Sequence, residues 1–309
     1  MNIHHEHGQP APRHKQYGRN LLIALGASGS ILILEVWASI RTGSLGLLSD
    51  AAHLLVDLSG LLFAYWALRL AAKPADPQAT YGYVRAEVLA AAANGILLVG
   101  ISAFIVVRAV QRLGDPLESL DTTEVLVVAL FGLAANLGAA WLLARDAKEN
   151  INTRGAFLNV LGDGIASVGV IVATLAVRYT GDTIYDTLVS FLVAAIIVVS
   201  GWGLLRSTTA ILLETAPAHL DPPAIKAAVE RVPGVLNVHD LHVWTLTPGH
   251  YSASLHVSIE EAFVPAFFEL TRNVEALLAR EFDLHHCTIQ VEPEGDHESD
   301  HHDPVAEPL

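Results

Sequence analysis

The chain has 309 residues, of which 52% are hydrophobic and only 16% charged, and its mean hydropathy is +0.43. That is too apolar for a soluble protein of this length, and the apolar residues fall in blocks long enough to match the ~20 residues a helix needs to cross a bilayer. The net charge of −14 excludes a nucleic-acid partner, because phosphate binding needs a basic face. A single cysteine, Cys287, excludes an internal disulfide framework and a multi-cysteine zinc cage, so metal chemistry here must rest on His, Asp, Glu or Asn.

Residues 1–18 read as a cytosolic tail rich in histidine (His4, His5, His7, His14) with Arg13 and Lys15. They lack the apolar core and cleavage site of a secretory signal, so no removal is expected. A membrane region over residues 19–215 follows, with spans predicted at Asn20–Ile40, Ser44–Leu70, Glu87–Leu113, Glu124–Ala144, Ala156–Tyr179 and Tyr185–Leu213. Lys and Arg gather before the first span (Arg13, Lys15, Arg19), around the second connection (Arg69, Lys73, Arg85), around the fourth (Arg145, Lys148, Arg154) and at the exit (Arg206). The opposite connections are leaner or carry compensating acids, so both termini are expected in the cytoplasm.

Near Ala216-Pro217 the composition becomes charged and is punctuated by Pro222-Pro223, Pro233-Gly234 and Pro248-Gly249. Residues 216–293 read as a soluble domain: helix Pro223–Arg231, strands Leu236–Leu246 and Tyr251–Ile259, helix Val264–Phe282 and strand His285–Glu292. The fold class is therefore an α-helical membrane protein with six transmembrane helices, followed by a small α+β cytosolic domain of order αββαβ, an open sheet with helices on one face. Residues 294–309, with His297, His301 and His302 among acidic neighbours, read as a disordered tail. Such His-rich ends collect metal ions weakly or serve as ordinary solvated tails.

Polar residues inside the apolar blocks carry the functional signal, because a carboxylate at membrane depth costs at least about 2–3 kcal/mol and faces the bundle interior. His53 and Asp57 stand four apart, on one face of a helix; Asn159 and Asp163 repeat the spacing in the fifth span. Two such pairs on facing helices supply the four donors of a tetrahedral shell, with two carboxylates to balance a divalent charge. One pair alone is also explained by hydrogen bonding between helices, which is the reading preferred for Asn94 and Asn136; Glu35 remains open between that role and a functional one.

The segments Ser49-Asp50-Ala51-Ala52-His53-Leu54-Leu55-Val56-Asp57, Tyr81-Gly82-Tyr83-Val84-Arg85-Ala86-Glu87-Val88-Leu89, Asn152-Thr153-Arg154-Gly155-Ala156-Phe157-Leu158-Asn159-Val160-Leu161-Gly162-Asp163 and Leu212-Leu213-Glu214-Thr215-Ala216-Pro217, with His239-Asp240-Leu241-His242-Val243-Trp244 and Thr288-Ile289-Gln290-Val291-Glu292, resemble the cation diffusion facilitator family, above all its bacterial zinc, cadmium and cobalt exporters. The match runs from about residue 16 to 293. The resemblance implies a homodimer in a bacterial inner membrane and a metallochaperone-like cytosolic domain. It further implies export of a cytosolic divalent ion in exchange for protons, with the transport site on His53, Asp57, Asn159 and Asp163. It also implies a regulatory metal site on His239, His256, His285 and Glu292. No cofactor is expected: Zn2+ or another divalent cation is substrate and regulatory ligand, and protons and the lipid bilayer complete the partners.

One position departs from the pattern. Zinc-exporting members of the family usually have histidine where this chain has Asn159. An amide ligates through oxygen but takes up no proton near neutral pH, so the site is harder and zinc gains less over manganese, iron or cobalt. Zinc is the expected ion, with Mn2+, Co2+, Fe2+ or Cd2+ as alternatives. A membrane metalloenzyme or a metal sensor are the competing classes. No nucleophile motif or nucleotide loop supports an enzyme, and a sensor would not need Asp57 and Asp163 at membrane depth. In the soluble domain His242 and Trp244 share a strand face and read as packing, while His286 and Cys287 point to opposite faces.

Overall fold

The computed structural model describes residues 12–115, 119–144 and 151–293. The His-rich ends fall outside the described residues, apart from His14, as do Arg145 and Lys148. Six long helices come first: α1 (Pro12–Thr42), α2 (Leu45–Ala71), α3 (Ala86–Gly114), α4 (Thr122–Ala144), α5 (Ile151–Thr180) and α6 (Ile184–Leu212). α2, α3, α4, α5 and α6 are each long and apolar enough to cross a membrane, and α1 is a further helix of 31 residues. The chain divides into two units. The first holds residues 1–66 and 90–205, the second residues 67–89 and 206–309.

In the first unit the usual distribution of side chains is inverted. Large apolar residues such as Ile40, Trp66, Ile96, Leu130, Trp141, Ile165 and Val199 face outward, while Glu35, Asp50, Asn136, Asp163, Ser167, Thr174 and Asp186 are buried. Water would penalise that surface and lipid does not, so this is the outer face of a membrane bundle. With no hydrophobic drive between helices in lipid, close packing has to hold them together. α3 and α6 meet at glycines for this reason: a Cβ on Gly201 would lie 2.7 Å from the Cβ of Leu98, and one on Gly95 would lie 2.9 Å from Leu205 Cγ.

The α1–α2 connection is only two residues long, Gly43 and Ser44, and the start of α2 is capped from another helix. Asp186, in the first turn of α6, accepts from Ser44 Oγ at 2.6 Å, Leu45 N at 2.7 Å and Gly46 N at 3.1 Å. The two backbone donors are N–H groups with no partner inside α2, and the positive end of its dipole favours the carboxylate.

In the second unit, α7 (Pro222–Val229), β1 (Val235–Thr247), β2 (His250–Ile259), a 3-10 turn (Glu261–Ala266), α8 (Phe267–Phe282) and β3 (His286–Pro293) build a sheet of order β1-β2-β3. β1 and β2 form an antiparallel hairpin, and β3 joins β2 in parallel after the α8 crossover. The expected second helix begins later, at Phe267, because Pro265 cannot continue a regular helix and leaves a 3-10 segment in front. Ile225 and Val229 of α7 and Val274 and Leu278 of α8 bury one face of the sheet against Val238, Val243, Leu255 and Val257. The other face stays available to polar side chains.

The same unit holds a tight loop over residues 72–85. Asp76 accepts from the backbone of Gln78 and Ala79, each at 2.8 Å, and from the Tyr83 hydroxyl at 2.9 Å. Those donors hold the Asp76 carboxyl below its ordinary range, and Asp76 in turn raises the Tyr83 phenol. Beyond the loop, Arg85 pairs with Glu214 at 2.6 Å.

Candidate metal sites

The first cluster lies between α2 and α5. Helical spacing puts His53 above Asp57 on one face of α2, and Asn159 and Asp163 on one face of α5. His53, Asp57 and Asp163 each offer a ligand atom within 4.8 Å of the others. His53 Nε2 stands 3.7 Å from Asp163 Oδ1, which is too long for a hydrogen bond. It is close to the roughly 3.4 Å between two donors of one tetrahedral zinc ion with bonds near 2.0–2.1 Å. Asp163 is 2% exposed, and its Oδ1 has no hydrogen-bond donor. Asn159 donates from Nδ2 to Asp57 Oδ2 at 2.7 Å, so all four residues are brought together. Turning the amide over would present its oxygen to an ion.

Chemically, this is a pair of carboxylates and one imidazole with no Lys or Arg paired to them among the described residues. A divalent cation or protons can balance such a set, and each excludes the other. Ligands drawn from two helices rather than one also let a relative movement of the helices open the shell.

The second cluster lies on the helix-free face of the sheet. His239 of β1 and His256 of β2 are directly opposite one another in the register, and Glu292 of β3 reaches both. Its Oε2 is 3.3 Å from His239 Nε2 and its Oε1 is 3.0 Å from His256 Nδ1. The three offer ligand atoms within 4.8 Å of one another. The structure does not bring His285 to this group. Asp283 closes α8 in the left-handed conformation (φ 57°), and its Oδ1 engages His285 Nε2 at 2.8 Å on the exposed surface.

Asp240 is the residue that sequence reasoning missed. It stands at φ 51° in an irregularity of β1, where the register shifts by one residue between His239 and His242. Such a bulge re-aims the side chains around it. His242 therefore shares a sheet face with His239 despite the odd spacing. Asp240 lies between the imidazoles, 2.9 Å from His242 Nε2 and 3.6 Å from His256 Nε2. Alternation along a regular strand cannot signal this; only a bulge could. Cys287 is half-buried, and burial, reinforced by the charge of Glu275, pushes its thiol up to about 11, which makes it a poor ligand.

Comparison with known proteins agrees with both parts. Residues 21–213 match the family model described as the cation efflux transmembrane domain, and residues 217–294 match that of the cation efflux protein cytoplasmic domain. The chain is 38% identical over 292 residues to the metal cation efflux system protein CzcD of Cupriavidus metallidurans, covering 94% of this chain and 90% of that one. It is 35% identical over 294 residues to the cadmium, cobalt and zinc/H(+)-K(+) antiporter of Bacillus subtilis, covering 94% and 92%. It is also 36% identical over 288 residues to the zinc transporter ZitB of Escherichia coli, covering 92% and 90%. The helical region, the cytosolic domain and the extent of these matches together show that the chain belongs to the cation diffusion facilitator family and is a membrane protein of metal cation efflux.

Proposed function

We propose that the protein exports a divalent cation, with zinc the favoured ion, from the cytosol in exchange for protons by alternating access. One observation carries the reading: His53, Asp57 and Asp163 converge from α2 and α5 in a site with no compensating Lys or Arg among the described residues. In the inward state the ion binds these three with Asn159 assisting through its oxygen. On the far side protons displace it and return with the site. Zinc is supported by the likeness to ZitB, a zinc transporter, and proton exchange by the likeness to the Bacillus subtilis cadmium, cobalt and zinc/H(+)-K(+) antiporter. Asn159 favours a second reading in which the same cycle serves manganese, cobalt, iron or cadmium, since an oxygen donor rewards zinc less than an imidazole.

The remaining features follow the same reading. Both termini lie in the cytoplasm of a bacterial cell, the protein sits in the inner membrane, and two copies pair. The cluster of His239, His256 and Glu292 senses the transported ion, with Asp240 as a further donor or as the group that orients His256. Metal there would favour transport if one arrangement of the cytosolic domains bound it more tightly. The chain acts as a carrier and forms no covalent intermediate.

The test is metal uptake by everted membrane vesicles under an imposed proton gradient. Asp57→Ala and Asp163→Ala should each abolish zinc uptake. Uptake that persisted unchanged with both aspartates replaced would remove the assignment, and a panel in which cobalt or manganese moved and zinc did not would correct the ion.

A further inference from the structure

Glu35, about two turns before the end of α1, is wholly buried, and neither of its carboxyl oxygens meets a hydrogen-bond donor among the described residues. Its Oε1 lies against the backbone of α4 at Gly132, where an added Cβ would stand 3.0 Å away. The absence of a side chain at Gly132 is what leaves room for the acid. Ser167 Oγ of α5 approaches the same Gly132 position at 3.8 Å, and its partner is the carboxyl of Asp50 on α2, itself 1% exposed and a neighbour of Glu35. Asp50 Oδ2 accepts from Ser167 Oγ of α5 at 3.1 Å, and its Oδ1 has no donor.

Two ionised carboxylates are acceptors only, so they can bond one another only when one carries a proton. The charged groups facing Glu35 from its neighbours are also acidic: Asp50 from α2 and Asp163 from α5. The only titratable residue of α4, Glu124, pairs with Arg41 at 3.4 Å instead. Burying a second uncompensated anion beside Asp50 would cost several kcal/mol, more than one hydrogen bond returns. A single shared proton removes the charge and fills the bond.

We propose that Glu35 is a second proton-carrying group of the transporter, holding a proton against Asp50 while the ion site is empty and releasing it when a divalent cation binds. The proposal rests on the reading of His53, Asp57 and Asp163 as the ion site. A cation there places positive charge next to Asp163, one helical turn from Ser167, whose hydroxyl lies 3.0 Å from the Asp163 carbonyl and 3.1 Å from Asp50 Oδ2. The Glu35 O–H bond then breaks, its electron pair stays on the carboxylate, and the proton passes to water in the pathway. When the cation leaves, the proton is regained. Glu35 thereby sets part of the proton count without touching the metal.

The experiment counts protons released per zinc ion bound to the full-length protein in detergent, from titration calorimetry in two buffers of different ionisation enthalpy. Glu35→Gln should still bind zinc and release about one proton fewer for each ion bound at the membrane site, and Glu35→Asp should restore the release. An unchanged count in Glu35→Gln overturns the proposal. Asp57→Ala separates the two readings, because zinc binding that survives there unaltered removes the ion-site assignment, whatever Glu35 does. Should Glu35→Gln fail to fold, zinc-induced infrared difference spectra of the unaltered protein decide. Loss of a protonated carboxylic-acid carbonyl band, shifted in Glu35→Asp, supports the proposal, and no such band, or one unmoved in Glu35→Asp, overturns it.

Discussion

The amide of Asn159 and the carboxylate of Asp57 are joined across α5 and α2 by a 2.7 Å hydrogen bond from Nδ2 to Oδ2. The bond occupies a lone pair that a bound ion would use, so the amide must turn or yield when the ion arrives. Replacing it with imidazole changes the donor from oxygen to nitrogen and adds a group that titrates near neutral pH. Asn159→His should therefore raise the preference for zinc over manganese by on the order of tenfold and steepen the pH dependence of transport between about pH 6 and 7. Competition flux in proteoliposomes with an imposed pH gradient measures both. An unaltered zinc-to-manganese ratio would mean that residue 159 does not ligate.

The cytosolic cluster makes a differential prediction. Glu292 bridges His239 and His256, whereas His285 is held by Asp283 away from them. In an Asp57→Ala background, which removes a ligand of the proposed membrane site, Glu292→Ala and His239→Ala should each weaken zinc binding by the full chain at least about tenfold, as loss of a ligand does. His285→Ala should leave it unchanged. Equilibrium dialysis reads the difference, and equal losses in all three variants would place His285 in the site.

Much of this arrangement is legible in the amino-acid sequence. The membrane segments show in sequence because hydrocarbon demands unbroken apolar runs: the expected span Ser44–Leu70 and the observed α2, Leu45–Ala71, differ by one residue at each end. His53 and Asp57 stand out for the converse reason, as polar groups where lipid forbids them. Relations between helices were far less visible. Glu35 stands alone in the sequence, because nothing in linear spacing pairs it with Asp50 on another helix. Asp240 is hidden by the bulge that makes three residues of β1 span two of β2, and the pairing of His285 with Asp283 follows from a single left-handed residue that no spacing announces. Such local irregularities depend on packing rather than periodicity.

Cys287 should be chemically quiet. With its thiol pushed up to about 11, chiefly by burial and then by Glu275, the thiolate fraction at pH 8 is on the order of one in a thousand. Maleimide labelling of the folded protein should be at least about tenfold slower than that of the same chain unfolded in denaturant. Cys287→Ser should leave zinc binding unchanged. Rapid labelling that zinc protects would instead make the thiol a ligand.

Asp186 is expected to be the strongest structural carboxylate of the bundle. Its three bonds, to Ser44 Oγ, Leu45 N and Gly46 N, join α6 to the first turn of α2, two turns before His53 of the proposed ion site. Asp186→Ala would leave those donors buried without a partner and should cost about 2–4 kcal/mol, while Asp186→Asn, keeping one acceptor oxygen, should cost roughly half as much. Thermal unfolding in detergent checks the order. The thermal shift produced by saturating zinc should survive in both variants, since ligand binding adds to the folded state whatever its starting stability. A variant that unfolded at the normal temperature would show that the cap is dispensable. One that kept its stability but lost the zinc shift would move Asp186 from holding the helix to serving the ion.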